Sequence, residues 1–267
     1  MSIITISRGS YSRGKEVAEK LAEILGYRCL SRDILIKASE QFNIPEIQLI
    51  RAIHDAPSVL DRFTYGKERY VAYIRSALLQ QVSNDNVVYH GLAGHFLLQG
   101  IPHVLKLRII ADFADRVREE MRRENLTEKE AREILRKDDN ERRKWSLQLY
   151  GIDTWDPNLY DMVLHIQTLR VADAVDIIAQ TVRRPCFQTT PESQKILNDQ
   201  LLAAKVKAAL SQDYPNVTVE AKEGEVSIGL KFSLYEKTEV TERIQFLARE
   251  AVGFNLKVNF ILSPDLL

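Results

Sequence analysis

"ISRGSYSRGKEVAEKLAEILGY", residues 6–27, decides how the rest of the chain is read. A β-branched run enters it from residue 2, a glycine-bounded loop spans Gly9 to Gly14, and Lys15 opens a helical pattern that Gly26 closes. Gly-x4-Gly-Lys between a strand and a helix is the spacing of a phosphate-cradling loop. There the unpaired N–H groups at the positive end of a helix dipole face the anion. Ser10 and Ser12 are small enough to let the backbone approach an anion, Lys15 is placed to reach β- and γ-phosphates, and Arg8 and Arg13 add positive charge. Glu16 stands where Ser or Thr normally holds Mg²⁺, and Tyr11 is bulky for such a loop. The nucleotide-binding candidates are Arg8, Gly9, Ser10, Ser12, Arg13, Gly14, Lys15 and Glu16. The alternative is an ordinary strand-to-helix turn carrying solvated basic side chains.

The 267 residues suffice for one large or two modest cores. With 37 basic against 37 acidic residues, the molecule as a whole has no bias toward nucleic acid or anionic membrane, so an anion site has to be local. No apolar run reaches the length of a membrane span. Residues 1–6 lack the charged-then-apolar order of a signal peptide, so a cytoplasmic location is expected. Cys29 and Cys186 lie far apart and the five His are scattered singly, which argues against a disulfide framework and a protein metal site.

Short apolar stretches alternate with helical patterns through the first two thirds. Residues 2–7, 86–91, 103–111 and 160–167 read as buried strands of a parallel sheet. Helical patterns occupy 15–25, 32–42, 45–54, 57–83, 92–99, 112–124, 127–150 and 170–182, giving an α/β fold with flanking helices. A Pro-containing polar stretch, 184–194, reads as a linker after a first domain of 1–183. Beyond it, 195–267 reads as a small α+β domain in the order αββαβ: a helix over 195–211, a hairpin over 217–232, a helix over 238–252 and a strand over 255–262.

Two blocks carry a resemblance. "ITISRGSYSRGKEVAEKLAEILGYRCLSRDIL" (4–35) resembles the opening of the cytidylate kinase-like family of P-loop proteins, in which Glu after the basic loop residue is ordinary. Ser31-Arg32-Asp33 stands at the family's Asp-Arg-Glu. "KDDNERRKWSLQLYGIDTWDPNLYDMVLHIQTL" (137–169) is similar to the family's later region, with Asp139 and Arg142 on an Asp-x-x-Arg pair. The resemblance implies a nucleotide-kinase-like parallel sheet, ATP with Mg²⁺ as cofactors, and transfer of a phosphoryl group to a nucleoside monophosphate or related small acceptor. Lys15, Arg142 and Asp139 are then the catalytic candidates, and Arg32, Asp33, Gly91 and Arg143 the acceptor-binding ones. The family usually has Gly-Arg after its next strand; here "YHGLAGH" (89–95) keeps Gly91 but places Leu92 at the Arg.

Phosphoryl transfer depends on positioning and charge stabilisation, which suits planar arginine side chains. The segment 112–145 carries Arg116, Arg118, Arg122, Arg123, Arg132, Arg136, Arg142 and Arg143. Glutamates interleaved at helical spacing make most of these solvent-facing pairs, and Arg142 is set apart by its motif. The acceptor is expected between the second strand–helix junction and the helices of 45–83, where Arg62, Arg69 and Arg75 are less specific candidates. Phe63, Tyr70 and Tyr73 read as core or dimer contacts, and His90 and His95 as buried structural residues. The tail resembles a BON domain, which implies ligand or partner binding without catalysis, and its strand edges suit a homo-oligomer. A nucleotide-binding sensor with weak or lost transfer is the second reading, favoured by Leu92.

Overall fold

Three isoleucines around Thr5 give an unbroken β-branched stretch, and it forms the central strand β1 (Ile3–Arg8). The computed structural model describes residues 1–9, 12–31, 37, 40, 66–91, 93–232, 237–253 and 256–264. After β1 come α1 (Gly14–Leu25), β2 (Arg28–Leu30), α2 (Gly66–Val82), β3 (Val87–Tyr89), α3 (Gly94–Leu97), β4 (Val104–Ala111), α4 (Phe113–Glu124) and α5 (Glu128–Tyr150). β5 (Met162–Ile166), α6 (Val171–Val182), α7 (Pro191–Leu210), β6 (Thr218–Lys222), β7 (Glu225–Phe232), α8 (Lys237–Val252) and β8 (Val258–Pro264) complete the order. Of the helix expected over 32–42 only residues 37 and 40 are described, both helical, while that over 45–54 and the start of that over 57–83 lie outside the described residues.

The described residues form two units: 1–31 with 84–189, and 37, 40 and 66–83 with 190–264. The first unit is built on a five-stranded parallel sheet in the order β2-β3-β1-β4-β5. β2 is an addition to the four expected strands; with three residues and one buried side chain it leaves little periodicity to read. The chain passes from β1 to both sides of the sheet, so the loop after β1 lies at the switch point, where open α/β sheets take their ligands.

One face of this sheet is closed by α1 and α6. Val17, Ala18, Leu21 and Ala22 of α1, with Val175, Ile178 and Val182 of α6, bury against Ile4, Ile6, Leu105, Leu107 and Ile109. Shortening the fully buried Leu21 to Ala costs about 2–5 kcal/mol on general grounds. At the opposite edge from the loop, the buried Asp85 carboxylate accepts a hydrogen bond from Thr189 Oγ1 at 2.6 Å and stands 3.2 Å from His103 Nε2. Burial pushes the Asp85 pKa up, but the adjacent His103, the hydrogen bond from Thr189 and the N-terminal charge outweigh it and hold the group below its ordinary value.

The second unit contains a three-stranded sheet, β6-β7-β8, antiparallel between β6 and β7 and parallel between β7 and β8. Its elements follow the expected αββαβ order. Val206 and Leu210 of α7 and Ile244 and Ala248 of α8 meet Val226, Ile228 and Leu230 of β7 in the core. The hairpin turns through Glu223 (φ 55°) and Gly224 (φ 78°), the left-handed pair that a two-residue turn requires. α7 begins at Pro191, inside the stretch read as a linker, because Thr190 caps it by accepting from Ser193 N. α2 joins this unit through α7, although it lies between β2 and β3 in sequence.

Candidate functional site

The loop after β1 is shaped by two small residues. Ser12 is fully buried, and its hydroxyl lies 3.0 Å from Ile109 O and 3.1 Å from Gly9 O, so it fastens the loop to β4 and faces away from any ligand. Gly14 starts α1 where a side-chain carbon would fall 2.7 Å from Cβ of Arg8. Between them Arg13 takes a left-handed conformation (φ 61°, ψ 8°), and its own side chain makes no capping hydrogen bond. The first-turn N–H groups of α1 are those a helix cannot satisfy internally, and here they sit at the switch point. Ser10 and Tyr11 lie outside the described residues.

A cleft of about 410 Å³ opens beside this turn. Arg8, Arg13, Lys15, Arg123 and Arg142 supply its positive lining, with Glu16, Glu19, Glu119 and Asp138 interspersed. Several of these carboxylates are already paired: Glu16 with Lys20 at 2.8 Å, Glu119 with Arg122 at 2.8 Å, and Glu19 with Lys15 at 3.6 Å. The Lys15–Glu19 pair is more than half exposed on both sides, so exchanging it for a phosphate costs little. Among the described residues no three His, Cys, Asp or Glu side chains are grouped to hold a metal ion.

Helices α4 and α5 deliver the arginines. Arg142 Nη1 donates to Arg8 O at 3.4 Å, bringing α5 to the mouth of the loop. Asp139 does not pair with Arg142; both its oxygens accept from Arg116 Nη2, at 2.9 and 2.8 Å. Arg116 is nine-tenths buried, and its Nη1 would lie 3.5 Å from a side-chain carbon added at Gly9. Arg116 thus stands beside the loop without lining the cleft, and the sequence conceals it among eight arginines. The signal is its place on the apolar stripe Phe113, Val117, Met121, where a charged group is out of pattern. Arg118, Arg122 and Arg132 pair with acidic neighbours three or four residues away on the helix surface, as interleaved charges should.

The acceptor candidates disperse. Arg143 binds Asp153 Oδ2 at 2.5 and 2.9 Å and lies over the Trp155 ring, away from the cleft lining. Gly91 sits under Tyr89, whose hydroxyl would collide with an added side-chain carbon. Arg32, Asp33 and Leu92 are outside the described residues. Near the same strand ends, Tyr160 donates to Ser7 Oγ at 3.1 Å or Thr154 O at 3.0 Å, and Arg108 donates to Tyr160 Oη at 3.3 Å. His95 makes tilted ring contacts with Phe96 and Tyr160; burial, with Arg108 and Lys106 nearby, holds its pKa down at about 3. Burial and the Arg8 charge likewise lower that of His90, so both imidazoles are neutral at physiological pH.

Comparison with known proteins gives three findings. The sequence model of the cytidylate kinase-like family matches residues 3–168. A cytidylate kinase of Thermoplasma acidophilum is 25% identical over 182 residues, covering 67% of this chain and 91% of that protein. An uncharacterised protein from Eubacterium ventriosum, solved as a crystal structure, aligns with a TM-score of 0.53 at 21% identity, over 69% of this chain and 100% of that one. The last is a likeness of fold. No helix among the described residues is long and apolar enough to cross a membrane.

Proposed function

The chain belongs to the cytidylate kinase-like family, and from that membership we propose that it transfers a phosphoryl group from ATP to a nucleoside monophosphate of the CMP type or a related small acceptor. The observation that carries this reading is the first turn of α1, uncapped by Arg13, at the sheet's switch point beside a cleft lined by Lys15, Arg8, Arg13 and Arg142. Lys15 and the loop amides hold the donor phosphates, and Arg142 stabilises the moving charge. Asp139 acts through Arg116, fixing that guanidinium against Gly9. Arg32 and Asp33 are acceptor candidates on sequence grounds.

Mg²⁺ suits this donor set as an ion held chiefly by phosphate and water, which needs only one or two carboxylates. Glu16 is the carboxylate that opens the helix, and it is within reach of Lys20 and Arg13. When bound, the ion neutralises charge on the β- and γ-phosphates.

The pairing of Glu16 favours a second reading: a nucleotide-binding sensor with little transfer. The αββαβ tail supports a ligand- or partner-binding role of the BON type. A coupled assay with ATP and Mg²⁺ against a panel of monophosphates, with Lys15→Ala as control, separates the two. Turnover lost in the variant supports the kinase. ATP binding without turnover on any acceptor supports the sensor, and neither binding nor turnover overturns both.

A further inference from the structure

The two edges of the C-terminal sheet are finished differently. β6 carries Glu220 and Lys222 along its five residues, and α7 is fastened at both of its ends. Lys207 Nζ donates to Pro215 O at 2.7 Å and to Val217 O at 2.5 Å, and the Asp199 carboxylate accepts from Glu223 N and Gly224 N, each at 2.9 Å. Charged side chains and a covering helix are the usual protection of an edge against further pairing. β8 is different: its seven residues, VNFILSP, carry no charge, and among the described residues only β7 is paired with it.

The main chain of β8 faces two ways. Val226 N donates to Lys257 O at 3.0 Å, in the register Val226↔Val258. That bond turns the peptide groups of Lys257, Asn259 and Ile261 toward β7, and those of Val258, Phe260 and Leu262 toward the open edge, because such groups alternate along a strand. Outward N–H and C=O groups are strong hydrogen-bonding groups that a further strand would satisfy. The same strand presents apolar surface. Val258 and Phe260 pack on the core, so Ile261 lies on the other face, where it is 62% exposed. Its neighbour on β7 is Gly229, which has no side chain to cover it.

We propose that β8 pairs antiparallel with β8 of a second copy of this chain, joining two three-stranded sheets into one. The strand is its own match. A two-fold axis at Ile261, the midpoint of Val258–Pro264, pairs it along its whole length. Phe260 then faces Leu262 as a hydrogen-bonded pair, both with main chain outward, and the two Ile261 residues meet at a non-hydrogen-bonded pair, where side chains are closest. Charge order agrees: in the sequence Lys257 precedes the strand and Asp265 follows it, so antiparallel copies set unlike charges at each end and parallel copies would set like ones. The joined sheet has β6 at both margins, the protected edge, so assembly stops at two chains.

Sedimentation velocity of the full chain between about 1 and 100 µM tests this in the wild type, Ile261→Lys and Phe246→Lys. The wild type should pass from monomer to dimer over that range. Ile261→Lys sets like charges directly opposite each other and should raise the dissociation constant at least ~10-fold. Phe246, 49% exposed on α8, is a comparable apolar residue away from the edge, and its replacement should leave the constant within ~2-fold. Ile261→Cys, with Cys29→Ser and Cys186→Ser, should give a disulfide-linked dimer on oxidation with copper phenanthroline, since facing residues of a non-hydrogen-bonded pair lie within bridging distance. A wild type monomeric throughout the range overturns the proposal. So does a dimer that Ile261→Lys leaves intact or that Phe246→Lys weakens equally, and species larger than two chains overturn the closed arrangement. Should circular dichroism show Ile261→Lys unfolded, the cysteine variant decides, and absence of a linked dimer overturns the pairing.

Discussion

Gly14 has no room for a methyl group, since the added carbon would meet Cβ of Arg8 at 2.7 Å and Cδ at 2.9 Å. Gly14→Ala should displace Arg8, costing about 1–3 kcal/mol of overpacking strain and weakening ATP binding at least ~10-fold; urea denaturation and titration calorimetry read the two effects. Asp139→Ala leaves the buried Arg116 without its partner, and we expect a loss of about 3 kcal/mol, the scale of a broken buried pair. Asp85 gives a pH signature. Its folded pKa lies below its unfolded one, so its stabilisation is complete above the ordinary carboxylate range near ~4 and fades as pH falls through the folded value. Asp85→Asn should therefore be less stable at pH 7, with a flatter urea midpoint between pH 5 and 3 (approximate limits set by that range). At this scale the sequence marks Lys15 and Arg142 through motif spacing. It hides Arg116, because a local charge pattern cannot tell a surface pair from a buried one.

Helix α5 starts at a capping box: Thr127 Oγ1 accepts from Glu130 N at 3.3 Å, and Glu130 Oε2 accepts from Thr127 N at 2.8 Å. Thr127→Ala should cost about 1 kcal/mol, seen as a lower thermal midpoint with faster exchange in the first turn of α5. The Thr-x-x-Glu signal is plain in the sequence, and so are β1 and β4, whose continuous apolar character follows from burial on both faces. The expected helix over 92–99 shrinks to the four residues of α3, opened by Ala93 in a left-handed conformation (φ 58°). α7 begins early for the opposite reason: Thr190 and Pro191 are breakers in composition but helix starters in position.

For the whole molecule, the order αββαβ is legible because hairpin and helix periods alternate cleanly. The allegiance of α2 is not. Tyr70, Tyr73, Ile74, Leu78 and Val82 are buried, and an amphipathic pattern states that a helix has a partner without saying which. A chain ended after Thr189 removes α7, so we expect it to expose α2 and aggregate, read as loss of the monomer peak in size-exclusion chromatography against the full chain.

The interleaved path also has a cost during synthesis. α2 leaves the ribosome well before α7, its helical partner, because β3 to α6 must be made in between. At ~5–20 residues per second, that delay of roughly a hundred residues leaves an apolar helix uncovered for about 5–20 s. The nascent chain is a natural client for holding chaperones in that interval, and slow translation downstream of α2 would lengthen its dependence on them.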